Sequence, residues 1–539
     1  MANMCDSAPP NGCTPAGVTD LRVLDCFARR FNAATYQSEI VSGGHTSNGD
    51  EALYGDKCAT HTKCLKQTSP GKVDLPSYMA FRAAINLGEL DPTGAFNAFQ
   101  NLVLGGSRPL NGPMGSFAYA FCGADSSLFG DSTVAPPPAL KTKAYATELI
   151  ELYWCSLLRD VAFTDYATNS IAQEAADELS NLDDYVGPTD SNENVTPALL
   201  FRGTFQGETT GPYLSQLFLT PTVFGAQPLD QKYITYLPGF DYMTDQADWS
   251  AVQQGLPTSP VNQVDPTRRY LHDGRGLAAF THVDELYEAY FIAYLVLEAM
   301  NASKPILNPG NPYTGSKTQN GFGTFGFPDI ASVLAQVAKT ALNAVWYQKW
   351  VVHLRHRPEA AGGMVHFIKN GVMFDGTPDD SIFKSKALER SFEKYGTYFL
   401  SQAFPEGSPA HPAYPTGHGA VGGACITILK FFFNGSAVLT NPQVPNADGT
   451  ALQPWDFNPA TGAPGILTIN GELNKLARNV TFGHGLHGGI HWRTDSDASL
   501  MLGETVALNF LHDLACTYPE PFSVTITRLN GQPVTITNM

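Results

Sequence analysis

The spacing of apolar and polar residues predicts a mainly α-helical chain with long loops and minor β hairpins. The segments with a helical period are 21–34, 141–169, 277–301, 329–350, 418–433, 472–481 and 495–514. Gly- and Pro-rich stretches separate several of these segments and predict long ordered loops. A short strand is predicted at 466–469, and a hairpin at 523–537 turns at Asn530-Gly531.

The same pattern divides the chain into three predicted parts. Residues 1–75 form an N-terminal arm, which holds five of the nine cysteines and wraps the body or a partner subunit. Residues 76–522 form a helical body, within which 346–495 carries the candidate chemistry, and 523–539 is a C-terminal hairpin. The arm cysteines either form disulfides or interchain bridges, or remain buried thiols; their spacing leaves both alternatives open.

Composition narrows the class of protein. Of 539 residues, 43% are hydrophobic, enough for a large buried core. The formal net charge of −17 argues against binding to nucleic acid or to an anionic membrane, so any bound anion needs a locally positive pocket. No apolar run is long enough to span a membrane, and the first residues lack a signal-peptide pattern. We expect a soluble protein, with secretion or cell-wall association left open.

Candidate chemistry begins with a basic cluster at 346–360. Lys349 and Arg357 are eight residues apart, just over two helical turns. They can converge on one anion if the helix ends near Pro358, because the residue before a proline leaves the α region. The alternative is a solvated basic helix end that interacts with the helix dipole.

Two further clusters follow. Thr416, Gly417 and His418 fall at the predicted start of a helix, where free amides, a hydroxyl and an imidazole suit an anion; the alternative is a plain capping threonine beside a chance histidine. His491 and Asp495 are one helical turn apart, so Asp495 can accept a ring N–H of His491. The alternative there is an ordinary capping aspartate.

Taken in order, these clusters resemble a known family. The motifs K-x7-R-P, P-T-G-H and G-x-H-x-x-x-D resemble the signature of vanadium-dependent haloperoxidases and the related PAP2-type acid phosphatases. The flanking stretches EGSPAHPAYPTGH and GELNKLARNVTFG extend the resemblance to the algal-type vanadium bromoperoxidases. The resemblance implies helical bundles of that type and a homo-oligomer, dimeric or larger.

The resemblance also implies a vanadate cofactor, V5+, and a set of residues that hold it. His491 would bond the metal, and the oxygens would be held by Lys349, Arg357, Thr416, Gly417 and His418. The implied catalytic residues are His418 as acid–base, Lys349 and His411. Candidate residues around this set are Asp495, Asp284, His484 and Trp346.

The implied activity is oxidation of bromide and iodide by hydrogen peroxide to hypobromite-like species that halogenate small organic acceptors. His411 favours bromide over chloride by the same resemblance. Two departures stand out: Thr416 replaces the usual serine, and His484 aligns where the family has a second arginine, so His484 or His487 would have to supply that donor. Two alternatives stay open, a PAP2-type acid phosphatase with His491 as nucleophile and a low-activity oxyanion-binding relative.

Overall fold

The computed structural model describes residues 17–40, 43–455 and 465–539, and within these the chain is mostly helical. The α helices, numbered α1 to α15, are Leu21–Ser38, Asp50–Leu53, Leu75–Gly88, Pro92–Gln100, Lys143–Leu157, Ser170–Ser180, Gln246–Gln254, Gly274–Val283, Glu288–Ser303, Phe327–Tyr347, Pro358–Lys369, Lys386–Tyr395, Gly417–Phe432, Ile469–Phe482 and Arg493–Ala515. Wider π-type turns, Gln348–His353 and Gly483–His487, directly follow α10 and α14. The predicted fold class is confirmed, with long loops between the helices.

The β structure is limited to four two-stranded antiparallel hairpins in the described residues. The strands, β1 to β8, are Gln67–Ser69, Lys72–Val73, Thr222–Phe224, Gln227–Leu229, Gln443–Pro445, Leu452–Pro454, Ser523–Thr527 and Pro533–Thr537. The β7–β8 pair is the hairpin predicted at the C-terminus. The predicted strand at 466–469 is wrong, because Thr468 caps α14 through its hydroxyl and pairs with Val438 only as an isolated bridge.

Three predicted helix limits also need correction. The segment 277–301 is two helices, since Asp284 has an extended backbone that ends α8 before α9 begins. Asp329 lies inside the first turn of α10 and does not cap it, because the helix already begins at Phe327 after Gly326. The segment 141–169 is α-helical only from Lys143 to Leu157, and a 3₁₀ helix follows at Phe163–Thr168.

The core is organised around α13, all of whose residues are buried. Its main partner is α15, and glycines bring the two backbones together. A Cβ on Gly503 would collide with the carbonyl oxygen of Ala420, and one on Gly423 with that of Leu500. This close crossing fixes the start of α13, which carries the predicted anion site, against the start of α15.

The N-terminal region is tied to the body by a buried ion pair. Lys63 lies 2.5 Å from Glu359 and also donates to the carbonyl oxygen of Ser408. Cys26, Cys58 and Cys64 are free thiols within the chain, whereas Cys516 is disulfide-bonded. Cys5 and Cys13, for which the sequence left disulfides or buried thiols open, lie outside the described residues. None of the helices in the described part of the chain is long and apolar enough to cross a bilayer.

Candidate active site

The turn that follows α10 brings Lys349 and Arg357 together. The helix widens into the π-type turn, and Leu354 then takes a left-handed conformation with φ 47° that ends it. Arg357 is extended, with φ −81° and ψ 154°, as expected for a residue before Pro358. The helix therefore ends before Arg357, as the convergence of the two side chains requires, but it ends at His353 and not near Pro358. Both cations are fully buried, which excludes the solvated helix end.

The start of α13 supplies the second set of groups. Thr416 is the N-cap, and its buried hydroxyl has no hydrogen-bond partner. The first amides of the helix, beginning with Gly417, point out of the N-terminus without helical partners. At Gly417 a Cβ would lie 3.3 Å from the Trp346 ring, so the missing side chain leaves room above the amide. An orphaned hydroxyl beside helix N-terminal amides is a site for an oxyanion.

His491 is oriented by the residue that the sequence assigned to it. Its Nδ1 lies 2.8 Å from Asp495 Oδ2, and its Nε2 lies 2.8 Å from an N–H of Arg357. The hydrogen positions follow from this network: Nδ1–H donates to the carboxylate, and Nε2 keeps a lone pair. The buried imidazole therefore presents a metal-binding nitrogen toward Arg357.

His418 and Asp284 form a second imidazole–carboxylate pair. His418 Nε2 lies 3.0 Å from Asp284 Oδ1 across the break between α8 and α9. The other carboxylate oxygen, Oδ2, is buried without a partner. The pair gives the site a group that can take up or release a proton, with a fixed carboxylate to stabilise its charged form.

His411 and Trp346 border the same cations. Arg357 donates to the carbonyl oxygen of His411 at 3.0 Å and approaches the ring Nδ1 of that residue at 3.0 Å. The rings of His411 and Trp346 have centroids 4.8 Å apart. Lys349 donates to the carbonyl oxygens of Pro412 and Ala413, at 2.9 and 2.7 Å. The loop that contains His411 is therefore held directly by the two cations.

Of the two histidines considered for the missing arginine, only His484 reaches the site. Its ring lies against that of His418, with centroids 3.9 Å apart and planes tilted by 31°, and its Nδ1 is buried without a partner. His487 faces the opposite way, with its ring nitrogens against Cys155 and Tyr213, so the suggestion that it supplies a donor is wrong. Arg493 is also engaged elsewhere, because its guanidinium donates to both carboxylate oxygens of Glu151.

Burial and mutual repulsion set the charge of the site. Burial, followed by the nearby Arg357, holds the pKa of Lys349 and of His491 well below its ordinary value. Burial lowers the pKa of Arg357 to about 10. His484 has a strongly lowered pKa from burial and then from His418, so its ring is neutral. Because these basic groups are crowded and shielded from solvent, a bound anion would stabilise their charged forms strongly.

Sequence reasoning missed part of the support of His491. Arg355 was noticed only as one member of the basic cluster, yet it donates to Asp495 Oδ1 at 2.8 Å and to Glu148 Oε2 at 2.9 Å. Glu148 lies more than 200 residues from Arg355 along the chain and sits on a helix that reads as ordinary apolar core. No local sequence signal connects them.

The residues present fit a tetrahedral oxyanion better than a bare metal ion. No group of three or more His, Cys, Asp or Glu residues that could hold a metal occurs in the described ranges 17–40, 43–455 and 465–539. The buried groups present instead are one imidazole lone pair, two basic side chains, an unpartnered hydroxyl and helix amides. The fold and these buried donors indicate a helical enzyme of the oxyanion-binding class.

Comparison with known proteins agrees with this class. A family model for the VCPO second helical-bundle domain matches residues 330–516. The vanadium-dependent bromoperoxidase of Ascophyllum nodosum is 30% identical, over 98% of this chain and 93% of its own. That of Corallina officinalis is 30% identical, over 97% of this chain and 100% of its own. A homohexameric second vanadate-dependent bromoperoxidase from Ascophyllum nodosum matches with a TM-score of 0.88 and 27% identity, covering 98% of this chain and 94% of that one.

The chain therefore belongs to the vanadium-dependent bromoperoxidase family. The predicted family and the predicted enzyme class, a haloperoxidase, are confirmed.

Proposed function

We propose that the site binds vanadate and uses hydrogen peroxide to oxidise bromide, and iodide with it. The observation that carries the proposal is the buried contact of His491 Nε2 with Arg357, 2.8 Å apart. Lys349 and the Thr416 hydroxyl are also buried, and that hydroxyl has no hydrogen-bond partner. The names of the relatives support vanadium and bromide as the metal and the halide.

Each of these residues has a distinct part in holding the oxyanion. His491 Nε2 would bond the metal, because Asp495 occupies the other ring nitrogen. Lys349, Arg357, the Thr416 hydroxyl and the Gly417 amide would donate to the oxygens. Charge-assisted donors in a buried site are the strong kind, which suits a highly charged anion.

Vanadate, once bound, supplies a Lewis acid that polarises peroxide without changing its own oxidation state. His418 would act as the general base that accepts the proton released by peroxide. Asp284, hydrogen-bonded to His418, would stabilise the resulting imidazolium. Lys349 would place an additional N–H beside the reacting oxygens. Burial of the whole set excludes water from the reactive oxygens and strengthens each of these interactions.

His411 is the candidate for halide selection. Its ring is held between Arg357 and Trp346, at the edge of the cation pair. Burial and then Arg357 hold its pKa well below the ordinary value, so the ring is neutral and can donate one N–H to a halide. The oxidised halogen would then react with small organic acceptors.

We also propose a homo-oligomer, supported by the homohexameric relative. The acidic surface, with a net charge of −17, makes nucleic acid an unfavourable partner. A soluble location, with export or attachment to a cell wall, stays a prediction.

Bromination of a phenol-red-like dye tests the function. The protein is stripped of anions, reloaded with orthovanadate and supplied with bromide and peroxide, with phosphate as competitor. Vanadate-dependent bromination that phosphate suppresses supports the proposal. Hydrolysis of p-nitrophenyl phosphate without bromination would favour the phosphatase alternative, and tight anion binding with neither activity would favour the non-catalytic one.

Two variants separate the roles of the histidines. His491→Ala is expected to lose vanadate retention, because it removes the ring nitrogen that is proposed to bond the metal. His418→Ala is expected to retain vanadate while turnover falls by about 10²- to 10⁴-fold, the usual contribution of an acid–base group. Equilibrium dialysis gives retention and the dye assay gives turnover. Full bromination by His491→Ala would contradict the assigned ligand.

A further inference from the structure

Behind His491 lies a buried chain of charges that starts on a different helix. Asp495 accepts from His491 through Oδ2 and from Arg355 through Oδ1, both at 2.8 Å. Arg355 in turn donates to Glu148 on α5 at 2.9 Å. All four side chains are at most 5% exposed. Glu148, Arg355, Asp495 and His491 thus form one continuous hydrogen-bonded row.

Arg355 is fixed more firmly than an ordinary buried cation. Burial alone would lower its pKa, but Glu148 and Asp495 outweigh burial and raise it. Its guanidinium also stacks 4.4 Å from the centre of the Trp492 ring. Glu148 is anchored at its other oxygen by the amide of Thr494, 2.6 Å away. A planar fork with both arms occupied has little freedom to rotate.

The contact with Arg355 fixes the orientation of the Asp495 carboxylate. A carboxylate turns readily about its last bond unless both oxygens are held. Arg355 holds Oδ1, so Oδ2 stays where it receives the N–H of His491 and the amide of Trp492. The plane of the imidazole, and hence the direction of its Nε2 lone pair, depends on that carboxylate.

We propose that Arg355, held by Glu148, is a positioning residue that aims His491 at vanadium by locking Asp495. The inference rests on the proposed function. The side-chain donors of Arg355 go to Asp495, Thr494 and Glu148, so its hydrogen-bonded connection to His491 runs through the Asp495 carboxylate.

The structure offers a matched control. Glu151 lies three residues after Glu148 on the same helix and pairs with Arg493, with Oε2 2.8 Å from Nε. This pair is equally buried and joins α5 to α15, the helices that carry Glu148 and Asp495, but it touches neither Asp495 nor His491. Glu151→Gln should therefore reproduce any loss of stability without disturbing the imidazole.

The test uses the full chain, stripped and titrated with orthovanadate by equilibrium dialysis. The ⁵¹V NMR shift of the loaded protein and its melting temperature are recorded in parallel. Arg355→Gln is expected to weaken vanadate binding by about tenfold and to shift the ⁵¹V resonance. This is the lower end of the usual loss when a residue that orients a metal ligand is removed. Glu151→Gln is expected to bind within about twofold of the parent with an unchanged resonance.

Equal losses of affinity in Arg355→Gln and Glu151→Gln, or parental affinity in Arg355→Gln, would overturn the inference. If Arg355→Gln does not fold, Glu148→Gln provides the same comparison, with an expected loss of about threefold set against the control. A parent chain that takes up no vanadate would instead refute the proposed function.

Discussion

Asp284 shows how a single residue determines both local structure and chemistry. Its extended backbone interrupts what would otherwise be one apolar helix, and this places its carboxylate 3.0 Å from His418. One oxygen remains buried without a partner. An unsatisfied buried carboxylate oxygen is costly, so its retention beside an acid–base histidine points to a functional reason.

Replacement of Asp284 by Asn removes the negative charge of the side chain and keeps its size. The amide can still meet His418 but cannot stabilise its charged form, so turnover is expected to fall by about 10- to 100-fold. Vanadate affinity should stay within about threefold, because the hydrogen bond of Asp284 goes to His418 and not to Lys349, Arg357 or Thr416. Steady-state bromination and equilibrium dialysis measure the two quantities. Unchanged turnover would show that His418 works without its carboxylate.

For single residues, the sequence predicted contacts between side chains that are close together along the chain. The one-turn spacing of His491 and Asp495 predicted their hydrogen bond, which is observed at 2.8 Å. The partnership of Arg355 with Glu148 could not be predicted, because it joins residues distant along the chain through tertiary packing. The roles of His411, His484 and Trp346 stay predictions that geometry supports.

Among the elements, the crossing of α13 and α15 matters most, since it presents the oxyanion donors to His491. Gly503 faces the backbone of α13 with no space for a Cβ. We expect Gly503→Ala to destabilise the fold by about 1–3 kcal/mol, the usual effect of overpacking. Denaturant unfolding measures this change.

Gly315→Ala is the control for that measurement, because a Cβ there meets nothing within 4 Å. Its free energy of unfolding should match that of the parent. Equal stability of Gly503→Ala and Gly315→Ala would show that the two helices can separate without loss.

Helix positions were more predictable than helix ends. The apolar periods located α10, α13 and α15 because each buries a broad face. The widening of α10 into a π-type turn at Gln348 and the interruption at Asp284 have no periodic signal. Both departures serve to position site residues, and local sequence preference is commonly overridden at such places.

For the whole molecule, the N-terminal region is part of the support of the site. Lys63 reaches Glu359 and the loop that leads to His411, and both charges are almost completely buried. Burial lowers the pKa of Lys63 to about 8, although Glu359 raises it, so the pair depends on close contact.

Lys63→Met should therefore leave Glu359 buried and unpaired, and lower the free energy of unfolding by about 3–5 kcal/mol. Chemical denaturation tests this, with Arg268→Met as control, because Arg268 and Asp230 form an exposed pair. The control is expected to unfold like the parent. A Lys63→Met protein as stable as the parent would mean that the N-terminal region is not anchored by this pair.

The molecule combines an acidic surface with a buried group of basic residues and histidines, and the central claim concerns what that group binds. The most direct measurement is a crystal structure of the vanadate-loaded protein, with vanadium located by its anomalous scattering. The account predicts one vanadium per chain, bonded to His491 Nε2 and flanked by Lys349, Arg357 and Thr416. Vanadium elsewhere, or an oxyanion bound among these residues without a bond to His491, would contradict it.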